Sequence, residues 1–258
     1  EFLHDYEKIM LKEGKSITTV AIYLRSLRHI MNIALEKGII KPQMYPFKKS
    51  KYEIPASRNE KQALHFHDLK KILEYETDLV GERKALDFWI FSYLCNGMNM
   101  ADICNLKYKN VDREYISFVR KKTTRTKRSD IRPIRCFISP EVRVIMEKYG
   151  NPDKNPDNYV FTILEPNIDA KREREKIQYF TRLVNRQMKN IAGKLNVDSN
   201  ISTYAARHSF ATVLKRKGAS MEFIKDSLGH SDLKTTENYL DSFLDETIKK
   251  NASLLTDL

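Results

Sequence analysis

"YAARHSFATVLKRKGASMEFIKDSLGHSDLKTTENYL" occupies residues 204–240, and its reading decides the fold and the chemistry. Its second half contains a short helix. Ser220 can cap it, Met221, Ile224 and Leu228 line one face, and Gly229 can end it. His230 therefore emerges just past a helix C-terminus. Tyr239 follows nine residues later, inside a polar run. Taken singly, an arginine such as Arg207 pairs with an acid and a tyrosine at helical spacing is core. Arg207, His230 and Tyr239 together, in this order and at this spacing, ask for a chemical explanation.

The chain around this stretch is basic and globular. Its 258 residues suit one large domain, or a small one followed by a large one, and 41% of them are hydrophobic. No stretch reaches the apolar length of a membrane span, and no signal peptide precedes the body. The first residue is Glu1 rather than Met, so a fragment lacking its natural beginning is expected. Cys95, Cys104 and Cys136 have neither metal nor redox spacing and read as buried thiols of a reducing, cytoplasmic compartment. The net charge is +12. An excess of this size points to an acidic polymer as partner, with nucleic acid the first choice. The charge is concentrated: "RKKTTRTKRSDIRPIR", residues 120–135, holds eight Lys/Arg against one Asp. Such a segment suits a surface that faces phosphates.

Hydrophobic periodicity gives a mainly α chain with a small antiparallel sheet, an α+β class. Residues 17–37 form an amphipathic helix, with Val20, Leu24, Leu27, Met31 and Ala34 on one stripe, Thr18 or Thr19 as cap and Gly38 as stop. Arg25 and Arg28 lie off that stripe, available to a DNA groove. Prolines and charges then mark a linker. The boundaries are a partial helical domain over 1–55, a linker over 56–62 and a catalytic domain over 63–258. Two helices follow within 67–95, with Trp89 in the core. "EYISFVR" and "IRPIRCFI" read as a hairpin around the basic loop. Helices resume over 138–149 and 176–195. "HFH" at 65–67 reads as a helix start rather than a metal site.

The stretch 204–240 resembles the C-terminal signature of the tyrosine recombinases, the phage-integrase family of DNA strand-exchange enzymes. The matching features are Arg207 in "ARHSFAT", His230 in "LGHSD" and Tyr239 in "TTENY". The resemblance covers about residues 62–250. A weaker one, in "TVAIYLRSLRHIMNIALEKGII", extends to the family's SAM-like, helical core-binding domain, here truncated at its start. By this resemblance Tyr239 is the nucleophile, forming a 3′-phosphotyrosine link and freeing a 5′-hydroxyl. The bond energy is kept, so neither ATP nor metal nor another cofactor is required. Arg207 suits the phosphate because its planar fork stays charged at any working pH, and His230 can donate a second hydrogen bond. The phenol, with a reference pKa of about 10, needs a base or a strongly positive site to react near neutrality. The family's catalytic lysine, which protonates the leaving 5′-oxygen, corresponds to Lys122 better than to Lys121.

The family pattern breaks twice. Its first arginine sits in a "GLRxxEL" segment, and the matching stretch here is "NGMNMADICNL", with Asn99 in that place and Asp102 at the acidic position. Losing one preorganised donor at a developing oxyanion typically costs about 10²–10³ in rate. Arg120, two residues before Lys122 and so on the same side of a strand, is the expected compensating cation. The second break is Tyr204, which stands where the family often has a proton-accepting histidine. A phenol is a poor base near neutrality, which leaves the general base open. His208 reads as packing.

The sequence therefore implies a site-specific recombinase, the integrase of a mobile element, acting in the cytoplasm at the nucleoid. Double-stranded DNA is the partner, with Arg25, Arg28, Lys121, Arg125, Lys127 and Arg128 as contacts. The tail, with Leu240, Phe243, Leu244 and Ile248 at helical spacing, packs on its own core or couples subunits of a homo-tetramer on DNA. Accessory DNA-bending proteins are possible partners, and a membrane is not. Two other classes remain: a weakened DNA-binding protein of the same fold, and a type IB topoisomerase-like relaxing enzyme.

Overall fold

The computed structural model describes residues 1–48, 50–56, 64–121, 133–197, 201–230 and 232–237. The chain divides into two compact units, Glu1–Glu60 and Lys61–Leu258.

The first unit holds two helices, α1 (Phe2–Lys12) and α2 (Ile17–Glu36), and a 3₁₀ turn at Pro42–Met44. Ser16, rather than either threonine, caps α2: its side chain accepts the Thr19 N–H at 3.2 Å. A serine directly before the first helical residue needs no displacement to reach that donor, whereas Thr18 and Thr19 already lie inside the first turn. Leu3, Met10, Val20, Leu24 and Tyr52 form the core of this unit. The Tyr52 hydroxyl donates to Glu7 at 2.6 Å. Arg25 and Arg28 are exposed on α2, off the buried stripe.

The second unit is helical around a two-stranded sheet. Its elements are α3 (Phe66–Leu73), α4 (Val80–Leu94), α5 (Met100–Cys104), a 3₁₀ turn at Tyr108–Asn110, β1 (Tyr115–Phe118), β2 (Ile134–Phe137), α6 (Pro140–Tyr149), α7 (Ala170–Lys194), α8 (Thr203–Arg216), α9 (Met221–Leu228) and α10 (Leu233–Glu237). The strands are antiparallel, with Tyr115 opposite Phe137 and Phe118 opposite Ile134. His65 stands at the N-cap of α3, and Phe66 and His67 open that helix. Helix α7 starts at Ala170, six residues before the periodicity suggested, because Asp169 caps it by accepting from the N–H groups of Lys171 and Arg172. The polar run 170–175 carries no apolar stripe, so the pattern alone missed it.

Helix α4 is the hub and packs against α6, α7 and α8. Its apolar side chains are buried almost all round, as a central helix requires. Trp89 is fully buried and donates its indole N–H to the Ser202 carbonyl at 3.0 Å, which fixes the entry to α8. Phe88 meets Phe161 and Phe180, each with ring centroids 4.9 Å away. Two buried carboxylates tie α4 to its neighbours. Glu82 takes hydrogen bonds from Lys194, Tyr75 and Thr77. Asp87 pairs with Arg83 and Lys148 and accepts from Tyr149. Buried charges are tolerated only when matched in this way. Cys95, Cys104 and Cys136 are buried free thiols, and burial pushes Cys104 and Cys136 up to about 12.

Candidate active site

Arg207 lies on α8, 2% exposed, and backbone carbonyls orient its guanidinium. One end donates to the Gly97 carbonyl at 2.9 Å, and the other to the Leu228 carbonyl. Gly97 allows this approach. It has φ +62°, and a Cβ there would stand 2.7 Å from the Arg207 Cα. Carbonyl dipoles fix the guanidinium plane without neutralising its charge.

The turn after α9 delivers His230. Gly229 adopts the left-handed conformation at φ +63°, its N–H bonds the Asp226 carbonyl and the His230 N–H bonds the Lys225 carbonyl. The imidazole Nε2 is 3.1 Å from Arg207 Nη2, and its Nδ1 is 3.0 Å from the Thr236 hydroxyl. A guanidinium can only donate, so Nε2 accepts and Nδ1 carries the proton toward Thr236. Thr236 is fully buried on α10, and Asp232 fixes the start of that helix by accepting the Thr235 N–H at 2.7 Å. The sequence reading missed Thr236. Its signal was a hydroxyl six residues past His230, with no pattern to mark it.

Arg120 completes this face. Its Nη1 donates to the Leu228 carbonyl at 3.2 Å and to the Gly229 carbonyl at 3.4 Å. The strand-alternation argument for Arg120 does not apply, because β1 ends at Phe118. The carbonyls at the end of α9 orient this side chain instead. Behind it, Asp102 accepts the Lys121 backbone N–H at 2.9 Å. Burial raises the Asp102 carboxyl, opposed by that hydrogen bond, by the charges of Arg120 and Arg207 and by a hydrogen bond from Asn99. Asn99 is the N-cap of α5 and half-buried, two residues beyond the carbonyl that holds Arg207. The Lys121 ammonium bonds Asn105 and pairs with Glu173. Tyr204 lies in the first turn of α8, 36% exposed, with its ring 5.1 Å from that of buried His208. Lys122, Arg125, Lys127, Arg128 and Tyr239 lie outside the described residues, as do the tail after Glu237 and nearly all of the 56–62 linker.

Two anchored guanidiniums and an imidazole converging on one helix end make a site built to receive an anion and stabilise further negative charge upon it. In the sequence all three precede Tyr239. Residues 62–245 match the phage integrase family, and residues 1–54 match the phage integrase SAM-like domain. The chain belongs to the phage integrase family: it is a tyrosine recombinase, an enzyme that cuts and rejoins DNA. It is 23% identical over 248 residues to a tyrosine recombinase of Pseudothermotoga lettingae, covering 92% of this chain and 76% of that one. In fold it is similar to the Tn1549 transposon integrase (TM-score 0.66, 16% identity, 96% of this chain and 82% of that one). It is also similar to the XerH site-specific recombinase (TM-score 0.64, 17% identity, 99% and 72%).

Proposed function

We propose that this chain performs site-specific integration or excision of a mobile DNA element, with Tyr239 as nucleophile and Arg207 and His230 as ligands of the scissile phosphate. The Tyr239 oxygen bonds phosphorus as the bond to the 5′-oxygen breaks. The phenol proton leaves to a base, and the 5′-oxygen takes a proton from Lys122. Reversal by an incoming 5′-hydroxyl rejoins the strand. The observation that carries this reading is the Arg207–His230 contact on the Leu228 turn, both groups buried; to donate to the phosphate, Nε2, which accepts from Arg207 here, takes up a proton in the complex. Lys122 is favoured over Lys121 as the acid because the Lys121 ammonium is engaged by Glu173.

Double-stranded DNA is the substrate in this reading. The Tn1549 integrase is seen with circular intermediate DNA, and XerH with its palindromic difH substrate. The division of labour is a core-binding domain over 1–55, a linker over 56–62 and a catalytic domain over 63–258. Arg25 and Arg28 contribute phosphate contacts from α2, and Lys121, Arg125, Lys127 and Arg128 contribute them from the hairpin. The working assembly is a homo-tetramer on DNA coupled through the segment after Glu237, with accessory DNA-bending proteins assisting at some sites. Among the described residues no helix is long and apolar enough to cross a membrane, and we place the enzyme in the cytoplasm at the nucleoid. The test is covalent capture. A nicked duplex carrying the element's end is incubated with protein in EDTA, with Tyr239→Phe alongside. A protein–DNA band that vanishes in the mutant supports the reading. Tight binding with no band supports the alternative of a DNA-binding protein that has lost turnover, and relaxation of any supercoiled plasmid without a preferred site supports a topoisomerase-like activity.

A further inference from the structure

We propose that Arg120 supplies the phosphate-binding cation that Asn99 cannot, so that the scissile phosphate is held by two guanidiniums, from Arg120 and Arg207. This rests on the reading of Arg207 and His230 as phosphate ligands. Three observations carry it.

First, the two guanidiniums share an acceptor. Arg207 Nη2 and Arg120 Nη1 both donate to the Leu228 carbonyl, at 2.5 and 3.2 Å. The two nitrogens can be no farther apart than the sum of those distances. Like charges this close repel, and a bound anion relieves that repulsion while gaining from both. Second, the path of the Arg120 stem is built. A Cβ on Gly229 would stand 3.0 Å from Arg120 Cδ and 2.4 Å from Ile134 Cδ1, so the arginine stem runs close over the turn that presents His230, where φ +63° favours glycine. Third, Asp102 links the place of the lost cation to its substitute. Its carboxylate takes a hydrogen bond from Asn99 and another from the Lys121 N–H, the residue after Arg120, and it feels the charges of both arginines. A charge absent at position 99 is thereby regained beside the same carboxylate, from a different element of the fold.

The test compares Arg120→Met and Arg120→Lys with the wild type. Methionine keeps the apolar stem over Gly229 and removes the charge, and lysine keeps a charge without the planar fork. Each variant is first checked for its melting midpoint and for binding to the same DNA. Covalent capture is then timed on two nicked duplexes that carry the element's end: one with an ordinary scissile phosphate, one with a neutral methylphosphonate there. A group that compensates phosphate charge matters on the first and much less on the second, whereas a merely structural residue matters equally on both. The expected result is a loss of about 10²–10³ for Arg120→Met on the phosphate, a far smaller loss on the methylphosphonate, and an intermediate loss on the phosphate for Arg120→Lys. Capture at the wild-type rate by Arg120→Met, or equal slowing on both substrates by either variant, overturns the proposal. A wild-type protein that captures neither substrate overturns the underlying reading of the site, and this inference with it.

Discussion

Gly97→Ala tests whether the close approach of the α4–α5 turn to α8 positions Arg207, the proposed phosphate ligand. At φ +62°, a Cβ on residue 97 would stand 2.7 Å from both Cα and Cγ of Arg207 and 2.9 Å from its Cβ. Two costs follow. Any non-glycine residue in this backbone region loses about 1–2 kcal/mol. The overlap with α8 adds about 1–3 kcal/mol, the usual range for overpacking, because most of the atoms met belong to a helix that cannot step aside. Gly218→Ala is the control. Gly218 lies in the same unit at φ +88° with nothing within 4 Å of its Cβ position, so its substitution carries the backbone cost alone. Urea unfolding should separate the two variants by about 1–3 kcal/mol. Cleavage should separate them further. Relieving the overlap moves the carbonyl that holds Arg207 at 2.9 Å, and a displaced guanidinium acts as a lost donor, about 10²–10³ in capture rate. Gly218→Ala should cleave at the wild-type rate. Equal destabilisation of the two variants, with undiminished capture by Gly97→Ala, would refute the idea that this contact positions Arg207.

Three further outcomes are expected. Thr236→Val leaves the His230 Nδ1 proton without its buried acceptor and should cost about 1–3 kcal/mol of stability together with slower capture, while Thr236→Ser retains both; a valine variant that cleaves normally would contradict the orienting role. The Lys194 hydrogen bond, helped by Tyr75 and Thr77, holds the Glu82 carboxyl below its usual value of 4.5 despite burial. A lowered folded-state value means stability that is present above the usual value and lost as pH falls through the lowered one; Glu82→Gln should therefore be less stable than wild type at pH 7, with the gap closing in acid, as followed by urea unfolding across pH. Arg25→Gln and Arg28→Gln should each lower the slope of log affinity against log salt by about 1 if each contacts a phosphate; an unchanged slope would remove that residue from the DNA surface.

The legible parts of this molecule are those written in side-chain periodicity and in a compact motif. The helix-ending Gly229, the cap at Ser220 and the emergence of His230 from their turn follow from residues adjacent in sequence. So does the hairpin of β1 and β2, because alternation and the flanking basic run are local signals. The expected cap of α2, Thr18 or Thr19, lies two or three residues past the observed one because Ser16 and both threonines stand within four residues of chain, and only geometry separates them. Asp102 was recognised as the counterpart of an acidic motif position. Its bond to the Lys121 N–H was not, since it joins α5 to a residue 19 positions away through a backbone donor that sequence never displays.

The same limit bears on the departure at Asn99. A motif lists the side chains that face the substrate and omits what holds them. Here the carbonyls of Gly97, Leu228 and Gly229 are among the holders. A carboxylate in their place would cancel much of the positive charge and compete with the incoming phosphate, whereas a carbonyl orients a guanidinium and leaves its charge intact. Carbonyl anchors also belong to the backbone, so they survive substitution of nearby side chains. Any arginine whose stem reaches the Leu228 oxygen can occupy the position, whichever element it starts from. Arg120 meets that condition because Gly229 clears its path and Asp102 fixes the chain just behind it. If Arg120 serves as proposed, tolerance of a change at position 99 is a property of the α9 turn, and mutations of that turn should be harder to compensate than the loss of any single cation around it.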